Sequence, residues 1–469
     1  MKIVAFSINP LFPDRVMGGA PKHLQNIAVH LGELGHAVEV LCTRAGPDQQ
    51  PFDWHPNVRV RPVLRFKQPF PQPYDTPAYH LANAIQEVAD ALADADRFYM
   101  HDGELLFPPI YRHVPTAVSL RDSVYPETQL GAFLFQGDEL ITISQHSHDY
   151  YLHTVGRFFP DLSARMRIIP NGIDWNIFRP TSLHEVLELI PVDPQRDAIV
   201  LHPHRPEPSK GLPQTIAVAD LLVHRHGVAN LKVLAPRWLE VGLSPEVRAF
   251  YAQIQAEIAA RGLQDHFIFH DWIPHKLMPQ FYSLGAVTLA LGHFVESFGN
   301  AVYESLGCGT PAIAARVATH RTLLPDALLD KVHFNDADTA AALAADIIRT
   351  KRRTSPAIYR ALQAQYSSDR QLAAYADAIL NARRRAPLTY RPAPLTEATR
   401  FRLAPWCYGW EEGIYHDYLA EHRQLPMLSA LLHALPDGFT RREAAQQGVD
   451  GADFDLWYRE GYIVPLPAA

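Results

Sequence analysis

Two carboxylates eight positions apart, Glu296 and Glu304, are the first residues in this chain whose types and spacing suggest chemistry. In Glu296-Ser297-Phe298-Gly299-Asn300-Ala301-Val302-Tyr303-Glu304, running on through Ser305-Leu306-Gly307-Cys308-Gly309-Thr310-Pro311, the first falls in a loop ahead of a predicted helix and the second two turns inside it. Free N–H groups around Phe298, Gly299 and Asn300 then point at whatever enters, and a helix N-terminus favours an anionic ligand. Glu304, near the same face, can accept hydrogen bonds from a diol. A solvated helix carboxylate and a turn glycine explain the same letters, so this pattern alone leaves both readings standing.

A second motif bears on the choice. His204-Arg205-Pro206-Glu207-Pro208-Ser209-Lys210-Gly211 carries two cations across a Pro-rich loop, and Arg205 and Lys210 can both reach a diphosphate. Only eight of the 43 basic residues are lysines, which weighs somewhat against a generic surface lysine at 210 and proves nothing by itself. The third motif, Val16-Met17-Gly18-Gly19-Ala20-Pro21-Lys22-His23, follows the first apolar run. Paired glycines there let backbone approach a ligand at the head of a helix, a weak signal by itself.

These motifs need strands and helices to hold them. Residues 2–8 read as a strand, Leu24, Ile27, Ala28, Leu31 and Leu34 as a helical stripe closed by Gly35, and Val38–Leu41 as a second strand. Such βαβ units build parallel sheets. The alternation continues through 58–63, a helix at 79–93, and strands at 98–100, 117–119 and 140–143. Near Pro180 to Asp197 it breaks, then restarts: strand 198–201, helix 213–226, strand 231–234, helix 246–261, strand 267–269, strand 286–291, helix 299–307 and strand 312–314. Two successive doubly wound α/β domains follow, with the motif loops outside the carboxyl ends of their strands and facing a shared cleft. We divide the chain into 1–185, 186–386 and, beyond the Pro-rich linker at Pro387–Pro394, an accessory region 387–469.

With this order and spacing, the chain resembles the retaining, nucleotide-sugar-dependent glycosyltransferases of the GT-B fold in glycosyltransferase family 4. The resemblance runs from residue 1 to about 382 and rests on Gly18-Gly19, the segment Ile168-Ile169-Pro170-Asn171-Gly172-Ile173-Asp174, Arg205 with Lys210, and Glu296 with Glu304. It implies that Arg205 and Lys210 bind the donor's phosphates and stabilise the departing nucleoside diphosphate. Glu304 would hold the ribose hydroxyls, while Glu296 and the Phe298-Gly299-Asn300 backbone would contact the transferred sugar. Gly18, Gly19 and Asn171 would also serve donor binding. His101, ending the strand 98–100 with Asp102 after it, matches a family histidine near the sugar, so the catalytic set is His101, Arg205, Lys210 and Glu296. The segment 355–382, with Tyr366 and Tyr375, resembles terminal helices that cross back to the first domain. No bound cofactor is implied; a UDP-, GDP- or other nucleoside-diphosphate sugar is a co-substrate, and the acceptor is unidentified. Loops at 10–20, 65–78 and 121–130 are the places for an acceptor pocket.

Composition bounds the alternatives. The chain has 469 residues, 47% hydrophobic and 20% charged, so disorder as the main state is excluded and two or three domains are expected. Three cysteines far apart, Cys42, Cys308 and Cys407, exclude a disulfide scaffold. A net charge of -7 argues against nucleic acid as a partner. The start Met1–Ser7 is too short for a signal segment and no apolar run suits a bilayer span, which makes cytoplasmic the expected location. The 24 histidines, about twice the usual share, raise a metal hypothesis; His202 and His204 share a strand face but find no third ligand, so no metal site is assigned. The basic run Arg59, Arg61, Arg65 and Lys67 is read as a solvated strand edge, with peripheral membrane contact as the sharper alternative.

Beyond 387 the sequence leaves the family pattern. Met427–Leu435 is helical, Thr440 and Glu443 form a capping box, and a third helix through Phe454, Leu456, Trp457 and Tyr458 precedes the strand 462–464. This is similar to a small, mainly helical winged-helix module, yet its acids outnumber its arginines, which lacks the footprint for DNA. Protein or peptide contact, a dimer interface or plain packing on the transferase core is the expectation for 387–469. Two rival functions remain: an epimerase or inverting transferase on the same fold, or a non-catalytic regulatory or scaffold protein working through the C-terminal module.

Overall fold

The computed structural model describes residues 1–14, 18–68, 72–102, 107–237 and 245–467. Parts of two loops expected to shape an acceptor pocket, 15–17 and 69–71, lie outside the described residues. The chain divides into two compact units: Met1–Asn171 with Asp369–His416 and Glu421–Ala469, and Gly172–Ser368 with Asp417–Ala420.

The first unit is built on eight strands: β1 (Lys2–Pro10), β2 (Ala37–Thr43), β3 (Phe52–His55), β4 (Val58–Leu64), β5 (Arg97–Met100), β6 (Thr116–Leu120), β7 (Glu139–Thr142) and β8 (Met166–Ile168). Their order is β3-β4-β2-β1-β5-β6-β7-β8, and every pair is parallel except β3 with β4. The apolar runs are continuous because both faces are covered. Along β1, Val4 and Phe6 enter a core with Leu41, Phe98 and Val118, while Ile3 and Ala5 enter another with Val40, Tyr99 and Ile141. That second face takes in Tyr375, Ala376, Ala378 and Ile379 of the helix Ser368–Leu380.

The second unit carries β9 (Ala198–Leu201), β10 (Leu231–Pro236), β11 (Phe267–His270), β12 (Val287–Ala290), β13 (Ala312–Ala315) and β14 (Asp330–Val332), all parallel, in the order β11-β10-β9-β12-β13-β14. Strand order reverses beside β1 in one sheet and beside β9 in the other. Ligands of open parallel sheets sit outside the carboxyl ends of strands at such points.

The C-terminal region is a mixed sheet-and-helix module. Its helices, Pro426–Ala434, Arg441–Gln446 and Gly451–Arg459, lie where the sequence pattern puts them. The Thr440 hydroxyl accepts from the Glu443 N–H at 3.1 Å, and the Glu443 carboxylate accepts from the Thr440 N–H at 2.7 Å, closing the capping box. The sequence did not disclose the strands β15 (Arg400–Leu403), β16 (Cys407–Trp410), β17 (Gly413–His416), β18 (Glu421–Gln424) and β19 (Phe439–Thr440). With β20 (Ile463–Pro465) they form two three-stranded sheets.

The expectation that Arg59 and Arg61 guard a strand edge is corrected. β4 is paired on both sides, with β3 outermost, and the arginines meet acids: Arg59 with Asp53 at 3.0 Å, Arg61 with Glu39 and with Glu87 at 3.6 Å. Among the described residues, no helix is long and apolar enough to cross a membrane.

Candidate functional site

In the first unit, Gly18 and Gly19 follow β1 and begin the helix Gly19–Glu33, with both glycines exposed. His101 follows β5 and is 1% exposed. Its Nε2 lies 2.9 Å from the Ala20 carbonyl, which can only accept, so Nε2 carries the proton. Nδ1 then accepts from the Tyr99 hydroxyl at 2.6 Å. Both ring nitrogens are thereby used, and the ring ties the end of β5 to the loop that opens the first helix. Burial pushes His101 well below its ordinary pKa, with Arg121 adding to the shift, so the ring is neutral.

Around it lies a buried polar cluster that sequence reasoning largely missed. Asp102, at φ 70°, is pushed up to about 7 by burial against the opposing pull of Arg121. The Arg121 Nε stands 3.8 Å from its carboxylate. Arg121 also donates to Asn171 Oδ1 at 2.6 Å and to the Tyr375 hydroxyl at 3.2 Å. Asn171, expected to serve the donor, is thus held by a cation of its own unit. The signal that could have found Arg121 is positional: it is the first residue beyond the carboxyl end of β6, one strand from the switch point.

The second unit brings its motifs together more tightly. Lys210 Nζ donates to Glu296 Oε1 at 2.7 Å and stands 3.5 Å from the centroid of the Phe294 ring. A cation so placed is held by both the carboxylate and the ring face. Burial alone would raise Glu296; Lys210, with lesser help from His320 and Arg205, brings it below the usual carboxylate range. Arg205 itself is exposed and pairs with Glu207 at 3.2 Å. Gly211, at φ 86°, lets the loop after β9 run against the loop after β12: a Cβ there would strike the Gly292 backbone. Glycine is the residue that fits such a position.

Gly299 precedes the helix Asn300–Gly307 in the left-handed region, φ 79°, and a Cβ on it would strike the His320 ring. The Phe298 side chain packs into an aromatic cluster, its ring centroid 5.0 Å from Tyr303 and 5.4 Å from Tyr366. Glu304 Oε2 accepts from the Tyr282 hydroxyl at 3.2 Å. His204, beside Lys210, is lowered to about 3, mainly by burial and next by that cation, and its Nε2 is buried with no hydrogen-bond partner. His202 Nδ1 pairs with Thr215 Oγ1 at 3.0 Å. Among the described residues, no three histidine, cysteine or acidic side chains gather to hold a metal.

Two family descriptions match the chain in the order of its units: Glycosyltransferase Family 4 over residues 17–176 and Glycosyl transferases group 1 over 190–358. The chain is a family 4 glycosyltransferase. D-inositol 3-phosphate glycosyltransferase of Acidothermus cellulolyticus is 31% identical to it over 165 residues, 34% of this chain and 35% of that protein. The transferase thus matches about a third of that curated relative's length. Sucrose-phosphate synthase from Thermosynechococcus elongatus has a similar fold, with a TM-score of 0.64 at 17% identity, covering 80% of this chain and 97% of that one. Anabaena HepE in complex with UDP and glucose gives a TM-score of 0.61 at 18% identity, covering 80% and 98%. These likenesses establish the GT-B fold of the transferase.

Proposed function

We propose that the transferase moves a sugar from a nucleoside-diphosphate sugar to a hydroxyl acceptor with retention at the anomeric carbon. The observation that carries this is the Lys210–Glu296 pair over Phe294, at the switch point of the second unit's sheet. The bond from the anomeric carbon to the donor phosphate oxygen breaks, and negative charge gathers on the diphosphate. A cation already fixed by a carboxylate and a ring stabilises that charge without reorganising, which water cannot do as well. Arg205, exposed and close enough to influence Glu296, is the second cation for the phosphates. The acceptor oxygen bonds to the anomeric carbon from the same face, and its proton passes to a phosphate oxygen of the leaving group.

Glu304 takes the ribose hydroxyls, and Glu296 with the Phe298-Gly299-Asn300 backbone takes the sugar. In the first unit, we assign Gly18, Gly19 and Asn171 to donor binding and His101 to the catalytic set, where it holds the Gly19–Ala20 turn through its Nε2. Residues 1–185 and 186–386 act as the two catalytic domains and 387–469 as an accessory module. The UDP bound by HepE supports uridine donors as the first to try.

Two measurements test the reading. A thermal-shift panel of nucleoside diphosphates and their sugars should show a raised melting point for one base, because a ligand that binds only the folded state stabilises it. With the donor in hand, Lys210→Ala and Glu304→Ala should each nearly abolish transfer, and NMR of the product should show the donor's anomeric configuration. An inverted linkage overturns retention; wild-type rates in both variants overturn the site.

A further inference from the structure

The loop that joins β17 to β18, Asp417–Ala420, counts with the second unit although it lies far beyond the family match at 190–358. Asp417 is 1% exposed. Its Oδ1 accepts from Arg321 Nη1 at 2.6 Å and from the Ala318 N–H at 3.2 Å, and its Oδ2 accepts from Arg321 Nη2 at 2.8 Å. Ala318 and Arg321 are the two ends of one short helical turn. The turn is not one the chain adopts freely: Ala318 sits at φ 46°, a left-handed backbone that a side chain disfavours. Lys331 Nζ adds a bond to the Arg321 carbonyl at 2.9 Å.

Between the two pinned ends lies His320, 6% exposed, whose ring rests on Gly299 and whose Nδ1 is 3.5 Å from the Tyr303 hydroxyl. Burial lowers its pKa to about 4 even with Glu296 opposing the shift, so the ring is neutral. It stands beside the backbone of the Glu296–Asn300 loop as a wall rather than as a charge.

We propose that Asp417 is a positioning residue for the donor-binding loop: by pinning both ends of the turn Ala318–Arg321 it holds His320 against Gly299 and so fixes the Glu296–Asn300 backbone. The accessory region then contributes to donor binding through one carboxylate, and a chain lacking it has an incomplete donor half. This rests on the donor-binding reading of the second unit.

The experiment is a double-mutant cycle in the full chain, read as affinity for whichever of UDP, GDP and ADP the wild type binds best. Asp417→Ala and His320→Ala should each weaken binding roughly tenfold, the scale of coupling between residues in one network. Because Asp417 acts through His320, the double variant should lose no more than either single. Donor KM should rise in Asp417→Ala while kcat for donor hydrolysis at saturation stays within about twofold. Asp417→Asn keeps an oxygen for the Ala318 N–H but loses the charge and one acceptor for Arg321, its NH2 being a donor, so it reports the same loss, smaller, should the alanine variant not fold. Wild-type affinity in Asp417→Asn, or losses that simply add in the cycle, overturns the proposal. A wild type that binds none of the three diphosphates overturns the donor reading itself.

Discussion

A buried carboxyl without a full set of partners reports its surroundings through its proton. Asp102 is pushed up to about 7 from an ordinary 3.8, burial outweighing the attraction of Arg121. The unfolded chain releases that proton near pH 4, whereas the folded one keeps it until near neutrality. Between those values the folded state binds more protons, so this group's contribution to stability is fully present at low pH and is lost as pH rises through its folded value. Each unit of displacement is worth about 1.4 kcal/mol. Asp102→Asn cannot ionise, so its stability relative to the wild type should climb from pH 4 to pH 7 and then level off. Urea midpoints for the two proteins across pH 4 to 8 measure this, and a difference flat with pH rules it out. Glu296 is the opposite case in the same chain: Lys210 holds it low, so its charge is present throughout this range. Asp102 is buried and Glu296 half-buried, and the nearest cation stands 3.8 Å from the first and 2.7 Å from the second.

At the scale of elements, two loop glycines look alike in sequence and differ in what surrounds them. A Cβ on Gly211 meets the backbone of Leu291 and Gly292, which cannot move without displacing the loop after β12. On Gly299 the nearest atoms it meets belong to the His320 imidazole, a side chain. Both also leave an L-residue in the left-handed region, which costs about 1–2 kcal/mol. Gly211→Ala should therefore lose clearly more than that in a thermal or urea melt, and no single neighbouring substitution should restore it. Gly299→Ala should lose a similar amount at first, but adding His320→Ala should return it to the backbone cost alone. Equal rescue of both variants by His320→Ala would contradict this geometry. The strands around these loops were legible because a strand buried on both faces writes itself as a run such as Ile3–Phe6 or Ala198–Leu201. The Thr440/Glu443 box was legible because its partners are three residues apart. β15 to β18 were not: each is four residues long, rich in Arg, His and Gly, and settled by its pairing partner rather than its own pattern. Arg121, His320 and Asp417 stayed hidden for a related reason. Arg121 meets Asn171 at 50 positions' separation and Ala318 meets Asp417 at 99, and no spacing rule reaches so far.

At the scale of the whole molecule, chain order and structural order part company, because the first unit is made from three stretches of sequence. The helix Ser368–Leu380 lies some two hundred residues beyond Asn171, yet it supplies part of that unit's core. Tyr375 and Ile379 are buried against Ile3, Ala5, Val40 and Tyr99. The Tyr375 hydroxyl lies 3.1 Å from Ser119 Oγ, and Arg97 Nε donates to the Leu380 carbonyl at 3.0 Å. Burying one large apolar side chain stabilises by roughly 1.5–3 kcal/mol. Losing two, together with two alanines and these hydrogen bonds, removes an amount comparable to the whole stability of an ordinary domain, about 5–15 kcal/mol. A chain ending at Ser368 should therefore leave residues 1–171 without a cooperative melt and open to protease. One ending at Arg391 regains the helix and also Leu388, which packs into the opposite core, so it should melt cooperatively. Adding a peptide of residues 367–391 to the shorter chain should restore part of the protection, because the helix needs only its apolar face and its partners to dock. Protection of residues 1–171 in the shorter chain equal to that in the longer one would show that the unit folds from its N-terminal stretch alone, and that the returning helix is ornament rather than core.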